Sequence, residues 1–302
     1  MIRIRFFSPF CDGDGCIKEY SEICDVKSDP DYGVTYCFTN DDDFSHAIII
    51  NHAMPDLNIS KKNVLGLALE PPEFMGPNYM GLTNDFVEYA SKKIGRYYIG
   101  SHHYTSVQGY QVILPSPFTE YYSFLWHTFP ATVPRPLSKT KRMSIIFSRK
   151  TFAPGHVYRH HLVSRILESN LQIDIWGRGC NTIHPKFRND PRIRGEFKDK
   201  EPYIDYQYHI AIENFRHQSY VSEKFTNCLV CECVPIYYGA YKIEEYFPNS
   251  CFKLAGNVDV DMKLIEAIYS GKMDAIKKNI QYPSRMKLTE HIKELFIKKS
   301  IQ

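Results

Sequence analysis

Short apolar runs separated by polar and proline-rich stretches set the pattern of this chain. MIRIRFF at the start alternates weakly between apolar and polar positions, and GVTYCFT follows it. HAIIINH, residues 46–52, is a compact apolar run bounded by polar residues, the pattern of a buried strand. NVLGLALE, residues 63–70, is another such run and stops at Glu70, with Pro71 and Pro72 behind it. It predicts a carboxylate at the carboxyl end of a strand, on a loop stiffened by prolines. The first third therefore reads as short strands and loops.

Five prolines lie between Leu114 and Arg142, which suits an ordered crossing between domains better than a flexible tether. The boundary is placed near residue 135, giving domains 1–135 and 136–302. Beyond it the pattern changes. MSIIFSR (143–149) predicts a strand. Val157 to Glu168 predicts an amphipathic helix with Leu162, Val163, Ile166 and Leu167 on one face, and QIDIWG (172–177) predicts a second strand. YHIAIEN then reads as a strand, Ser222 as a helix N-cap, Phe225, Cys228 and Leu229 as a helical apolar stripe, and VPIYYG as the next strand. Strands alternating with helices imply an α/β fold with a parallel sheet. The last 40 residues read as helical and Lys-rich, with the final helix free to pack back on the first domain. The chain shows no internal repeat and no low-complexity segment.

Composition narrows the class without choosing a function. The chain has 302 residues, more than one compact core comfortably serves, so two domains are the natural expectation. It is 43% apolar and 24% charged with a net charge of +3, an ordinary globular balance that does not argue for a nucleic-acid partner. Nine cysteines are scattered, and an odd number cannot all pair internally, so reduced thiols are expected. MIRIRFFSPF lacks the long apolar region of a signal peptide or anchor, and no run of 18 apolar residues occurs. A soluble, cytoplasmic protein is the expectation.

Candidate chemistry concentrates in IENFRHQSYVSEKFTNCLVCECVPIYYG, residues 212–239. In open parallel sheets, ligands bind beyond the carboxyl ends of strands, where helix N-termini direct their N–H groups. Lys224 in the first turn of a helix meets the positive end of the dipole, an arrangement that an anionic ligand such as a diphosphate would reverse. Glu223 beside it could accept hydrogen bonds from ribose hydroxyls. A Glu–Lys pair opening a helix is, taken alone, an ordinary solvated feature.

The longer pattern is more specific. Tyr208-His209-Ile210-Ala211-Ile212-Glu213-Asn214, then Tyr220-Val221-Ser222-Glu223-Lys224, then Val234-Pro235-Ile236 and Gly239 resemble the signature of the α1,3/4-fucosyltransferases, glycosyltransferase family 10. SIIFSRKTFAPGHVYRHHLVSRIL followed by LQIDIWGRG is similar to that family's strand, its helix opened by an Arg, and its D-x-[FY]-G-R element. DDDFSHAIII, LALEPPEF and LTNDFVEYASKK resemble more loosely elements of its first domain. Phe215 stands where the family has serine, Ser222 where it has threonine, and Pro71 where Ser is common.

The resemblance implies a GT-B architecture, two Rossmann-like domains facing across a cleft, and inverting transfer of L-fucose from GDP-fucose to a hydroxyl of a glycan acceptor. It implies Glu70 as the catalytic base and Arg159, Asn214, Tyr220, Glu223 and Lys224 as donor-binding residues. Arg159 and Lys224 would face the diphosphate, Glu223 the ribose, Tyr220 the nucleotide and Asn214 the phosphate or sugar. Glu213 is open between a site role and a structural one on the opposite face. No metal or other cofactor is expected. The alternatives are the same fold with another GDP- or UDP-linked sugar, and a nucleotide- or glycan-binding protein without catalysis.

Two other signals are set aside. Asp41-Asp42-Asp43 contains D-x-D, a motif that binds Mn²⁺ in a different class of glycosyltransferases, but it precedes a buried strand in the first domain. Cys228, Cys231 and Cys233 span a helix running into a strand, and so read as small buried hydrophobes more readily than as zinc ligands. His102-His103 and His160-His161 lack a partner pattern and read as ordinary polar residues.

Overall fold

β1 (Ile2–Phe7) lies inside a seven-stranded sheet in the computed structural model of the chain, which describes residues 1–21, 28–29, 34–76, 81–106, 108–121, 138–183, 185–198 and 200–273. Among the described residues, one unit takes in residues up to 121 together with 217–222, and a second takes in 138–216 and 223–273. The boundary expected near residue 135, and the C-terminal segment beyond residue 273, lie outside the described residues. Among the described residues no helix is long and apolar enough to cross a membrane.

In the first unit β1 is followed by α1 (Gly13–Ser21), β2 (Ser28–Asp29), β3 (Val34–Phe38), β4 (His46–Ile50), β5 (Val64–Leu67), α2 (Asn84–Lys93), β6 (Arg96–Ile99), the hairpin β7 (His103–Thr105) and β8 (Gln111–Ile113), and β9 (Phe118–Glu120). The sheet order is β2-β3-β1-β4-β5-β6-β9, parallel throughout except for the β2–β3 pair. Because successive strand side chains point to opposite faces, the run HAIII serves two cores. Ile48 and Ile50 join Ile4, Phe6, Leu65 and Leu67 on one side, while Ala47 and Ile49 join Val64, Phe86 and Tyr97 on the other. Burying each such side chain contributes about 1.5–3 kcal/mol.

Two features depart from the reading of this region as strands and loops. β5 ends at Leu67, three residues before Glu70, and two helices are present. α2 has ordinary helix signals: Thr83 Oγ1 accepts from Phe86 N at 3.2 Å, and Phe86 and Ala90, one turn apart, are both buried. α1 has almost none, since GDGCIKEYS carries two glycines and little apolar surface; its Cys16 packs into the core with Ile4 and Phe6.

The second unit repeats the alternation more regularly. β10 (Lys141–Ile146), α3 (Pro154–Glu168), β11 (Ile173–Trp176), β12 (Ile193–Gly195), β13 (Tyr206–Ile212), α4 (Glu223–Val230), β14 (Val234–Tyr238), α5 (Ile243–Tyr246), β15 (Phe252–Lys253) and α6 (Val258–Tyr269) follow in order. The sheet order is β12-β11-β10-β13-β14-β15, with every pairing parallel. α3 and α6 cover one face through Leu162, Val163, Ile166, Met262 and Ile265 against Ile145, Ile210 and Ile236. α4 meets the alternate residues of the sheet, with the Phe225 and Tyr237 rings 4.7 Å apart. Strand order reverses between β10 and β13, the position at which open parallel sheets bind ligands beyond the carboxyl ends of their strands.

Burial also sets an acid limit on the fold. Desolvation lowers His46 and His156 to about 4 and His209 to about 3, against about 6.5 in an unfolded chain. These groups are neutral when folded, so the stability they contribute is complete above the unfolded value and is lost as pH falls through the folded ones. Urea midpoints at about pH 7.5 and pH 5 should therefore fall toward acid, by about 1.4 kcal/mol per pH unit for each histidine that takes up a proton on unfolding. Equal midpoints would show that these rings protonate inside the folded chain.

Candidate active site

Residues at the β10–β13 reversal come together because α3 begins almost on the end of β13. Pro154 opens the helix, three residues before the start read from the sequence, and Gly155 follows it. Gly155 N donates to Asn214 O at 2.9 Å, and a Cβ on Gly155 would lie 1.9 Å from Glu213 O, so glycine is what lets the helix approach the strand. Arg159 is one turn further along and shares that face. It therefore sits in the second turn instead of opening the helix, and its Nη2 donates to Ile212 O at 2.5 Å.

Arg159 is only 5% exposed. Among the described residues this guanidinium makes that one hydrogen bond, and Glu213 and Glu223 are the carboxylates that act on it. Desolvation lowers it to about 10, with the two carboxylates pulling the other way, so it keeps its charge at neutral pH. A buried cation with further N–H donors at the carboxyl ends of parallel strands is arranged to receive an anion.

Glu213 and Lys224 form the second half of this cluster. The Glu213 side chain is fully enclosed, accepts from Tyr237 Oη at 3.2 Å and lies 3.8 Å from Lys224 Nζ. Lys224 also donates to Glu223 Oε1 at 2.9 Å. Desolvation is the largest influence on Lys224 and pulls it down, but Glu223 and Glu213 together outweigh it and the net shift is upward. The cation at the start of α4 is thus already compensated by two carboxylates, a local explanation that the sequence reading did not have. Gly239 belongs to the same arrangement: a Cβ there would lie 2.1 Å from Tyr237 Oη and 2.6 Å from Glu213 Cγ. Asn214 is half-buried beside His156, a ring kept neutral mainly by its burial, with Arg159 adding to the effect and Asn214 opposing it.

Tyr220 is placed differently from the sequence expectation. It belongs to the first unit, is 2% exposed, and packs on Gly100, where an added Cβ would lie 2.6 Å from Tyr220 Cβ. The polar loop around it suggested an accessible ring, yet Ser219 and Ser222 are fully buried as well. Ser219 N donates to Gly100 O at 2.9 Å and its Oγ to Glu120 at 3.1 Å. Ser219 spends its polar groups on these internal hydrogen bonds, and Tyr220 is buried beside it.

Glu70, also in the first unit, is half-buried on a tightly held turn. Asn51, in the left-handed conformation at φ 50°, accepts from Leu69 N through Oδ1 at 2.8 Å. His52 Nδ1 accepts from Gly76 N at 3.2 Å. Between them Glu73, 4% exposed, pairs with His217 Nε2 at 2.9 Å. The sequence reading missed Gly155, His156 and the Glu73–His217 pair. Gly155 carried a local signal in the Pro-Gly opening of a helix; the pair, 144 positions apart, carried none.

Neither set-aside motif joins these groups. Asp41 and Asp43 pair with Arg3 and Asp42 with Arg5. Cys228, Cys231 and Cys233 are fully buried free thiols, and among the described residues no group of three or more His, Cys, Asp or Glu side chains is placed to hold a metal ion. His160 Nε2 donates to Ser148 O at 3.0 Å.

The chain resembles known glycosyltransferases in sequence and in fold. Residues 137–269 match the C-terminal domain of glycosyltransferase family 10 (fucosyltransferase). A fucosyltransferase-like protein of Arabidopsis thaliana is 32% identical over 93 residues, 31% of this chain and 16% of that protein. A protein of Acanthamoeba polyphaga mimivirus named as a fucosyltransferase is 26% identical over 174 residues, 51% of this chain and 28% of that protein. The chain thus matches less than a third of the length of either relative. Among solved structures, an α1,3-fucosyltransferase with GDP has a TM-score of 0.51 at 14% identity, covering 94% of this chain and 82% of that one. A glycosyltransferase from Rickettsia africae has a TM-score of 0.56 at 12% identity, covering 98% and 99%. The shared fold is GT-B.

Proposed function

We infer, for a glycosyltransferase with a family 10 domain over residues 137–269, that it transfers L-fucose from GDP-fucose to a hydroxyl of a glycan acceptor, with inversion at the anomeric carbon. The observation that carries this reading is Arg159, a nearly enclosed guanidinium at the strand-order reversal of an all-parallel sheet. Its donors, Lys224 and the N–H groups opening α4 would neutralise the charge that gathers on the leaving diphosphate. Glu223 would accept from the ribose hydroxyls and Asn214 would orient the phosphate or sugar. An α1,3-fucosyltransferase of the same fold has been crystallised with GDP, which supports guanosine diphosphate as the nucleotide.

Glu70 would take the proton of the attacking hydroxyl as the new C–O bond forms and the bond from the anomeric carbon to the phosphate oxygen breaks. A single base on the face opposite the leaving group is sufficient for inversion. Arg159 and Lys224 supply the positive charge that a metal supplies elsewhere, so EDTA should leave turnover largely intact. Phe215 in place of the family's serine leaves a different GDP- or UDP-linked sugar as the second reading.

Thermal unfolding with GDP, UDP, GDP-fucose and GDP-mannose tests the donor. Guanine nucleotides should stabilise most, by about 2.7 kcal/mol at a hundredfold excess over Kd. Indifference to GDP would overturn the nucleotide assignment, and stabilisation by UDP alone would move it to the second reading.

A further inference from the structure

The hexapeptide CDGDGC, residues 11–16, carries the chain from β1 into α1. Asp12 organises the turn: its Oδ1 accepts from Gly15 N at 2.7 Å and its carbonyl from Cys16 N at 2.9 Å. Gly13 is pressed against Asn40, where a Cβ would lie 1.7 Å from Oδ1. This backbone brings two thiols together. Cys11 Sγ and Cys16 Sγ are 2.6 Å apart, and Cys16 Sγ lies 4.0 Å from Cys11 O. Both are free cysteines; Cys16 is fully buried and Cys11 half-buried.

We propose that Cys11 and Cys16 are an oxidation site, a dithiol at the β1–α1 turn that a small disulfide such as oxidised glutathione converts to an intramolecular disulfide. The two positions divide the reaction. Cys11, the accessible sulfur, attacks one sulfur of the oxidant as its thiolate, forming a mixed disulfide and expelling one glutathione thiolate. Cys16 then loses its proton and attacks the Cys11 sulfur, expelling the second. Two cysteine thiols and one glutathione disulfide become one protein disulfide and two glutathione thiols. Burial, together with the Cys11 sulfur, holds the Cys16 thiol protonated, so Cys16 is unsuited to react first.

The location gives the bond a consequence. In the first sheet the strand order reverses between β1 and β4, and the turn stands at the carboxyl end of β1 beside that reversal. A bond between Cys11 and Cys16 would close a short loop at this rim.

The site is read by peptide mapping of the full chain. Cleavage after Arg5 and Lys18 leaves both cysteines in one peptide, residues 6–18. After the native protein is incubated with oxidised glutathione and alkylated under denaturing conditions, this peptide should be unalkylated and lighter than its reduced form by two hydrogen atoms. Dithiothreitol should restore two alkylatable thiols, and Cys11→Ser, at the half-buried position, should abolish the loss in a protein that folds. Two alkylated cysteines, a glutathione adduct that persists on Cys11, or linkage to a peptide carrying another cysteine would each overturn the proposal.

Discussion

Glu70→Gln should lower the transfer rate by about 10²–10⁴-fold, the usual contribution of a positioned general base, while leaving stabilisation by GDP unchanged. The amide keeps the shape of the carboxylate but cannot accept the acceptor's proton. The substitution is mild for the fold, because Glu70 is half-buried and the turn is held by other contacts: Leu69 to Asn51, Gly76 to His52 and Glu73 to His217. A tightly held turn is also what a base needs, since loss of alignment costs as much as loss of basicity. Initial rates at saturating donor, set beside melting curves with and without GDP, separate the two effects. Turnover within twofold of the natural enzyme would dismiss Glu70 as the base and leave the nucleotide assignment standing.

Arg159→Met is expected to abolish the GDP-dependent rise in melting temperature and to lower transfer by about 10²–10³-fold, the scale for removing one preorganised charge-stabilising donor. Methionine retains most of the apolar stem that packs at this 5%-exposed position. What it removes is the guanidinium, with its bond to Ile212 O and its proximity to Glu213 and Glu223. Truncating one member of a buried charge cluster can cost about 3–5 kcal/mol when a charge is left without a partner. Here Lys224, 3.8 Å from Glu213, remains as counter-charge, so the cost to the fold should be well below that. Melting without ligand reads the structural part and the GDP-induced shift reads the binding part. A GDP shift equal to that of the natural protein would mean that Arg159 serves the fold alone.

Together the substitutions test a division of labour. The first should affect turnover and spare nucleotide binding; the second should remove both. Reversed outcomes would place the proton-accepting group elsewhere and assign Glu70 to substrate binding.

Local sequence determined a good part of this protein. Apolar runs such as HAIII and YHIAI became buried strands because a strand between two covered layers needs apolar residues on both faces. The spacing of Leu162, Val163, Ile166 and Leu167 fixed the buried stripe of α3, and the E-N and E-K pairs fell at strand and helix ends as expected. What the tertiary structure alone decided is which of these ends meet and which side chains stay accessible. Periodicity reports the face a residue occupies, not the strand that lies beside it, so the reversal between β10 and β13 emerged only from the crossovers. For the same reason the enclosure of Arg159, the burial of Tyr220 in a polar loop, the compensation of Lys224 by Glu213 and the Glu73–His217 pair were set by contacts between distant segments. Solvent exposure of a long polar side chain is a property of its neighbours in space, and those neighbours are not adjacent in the chain.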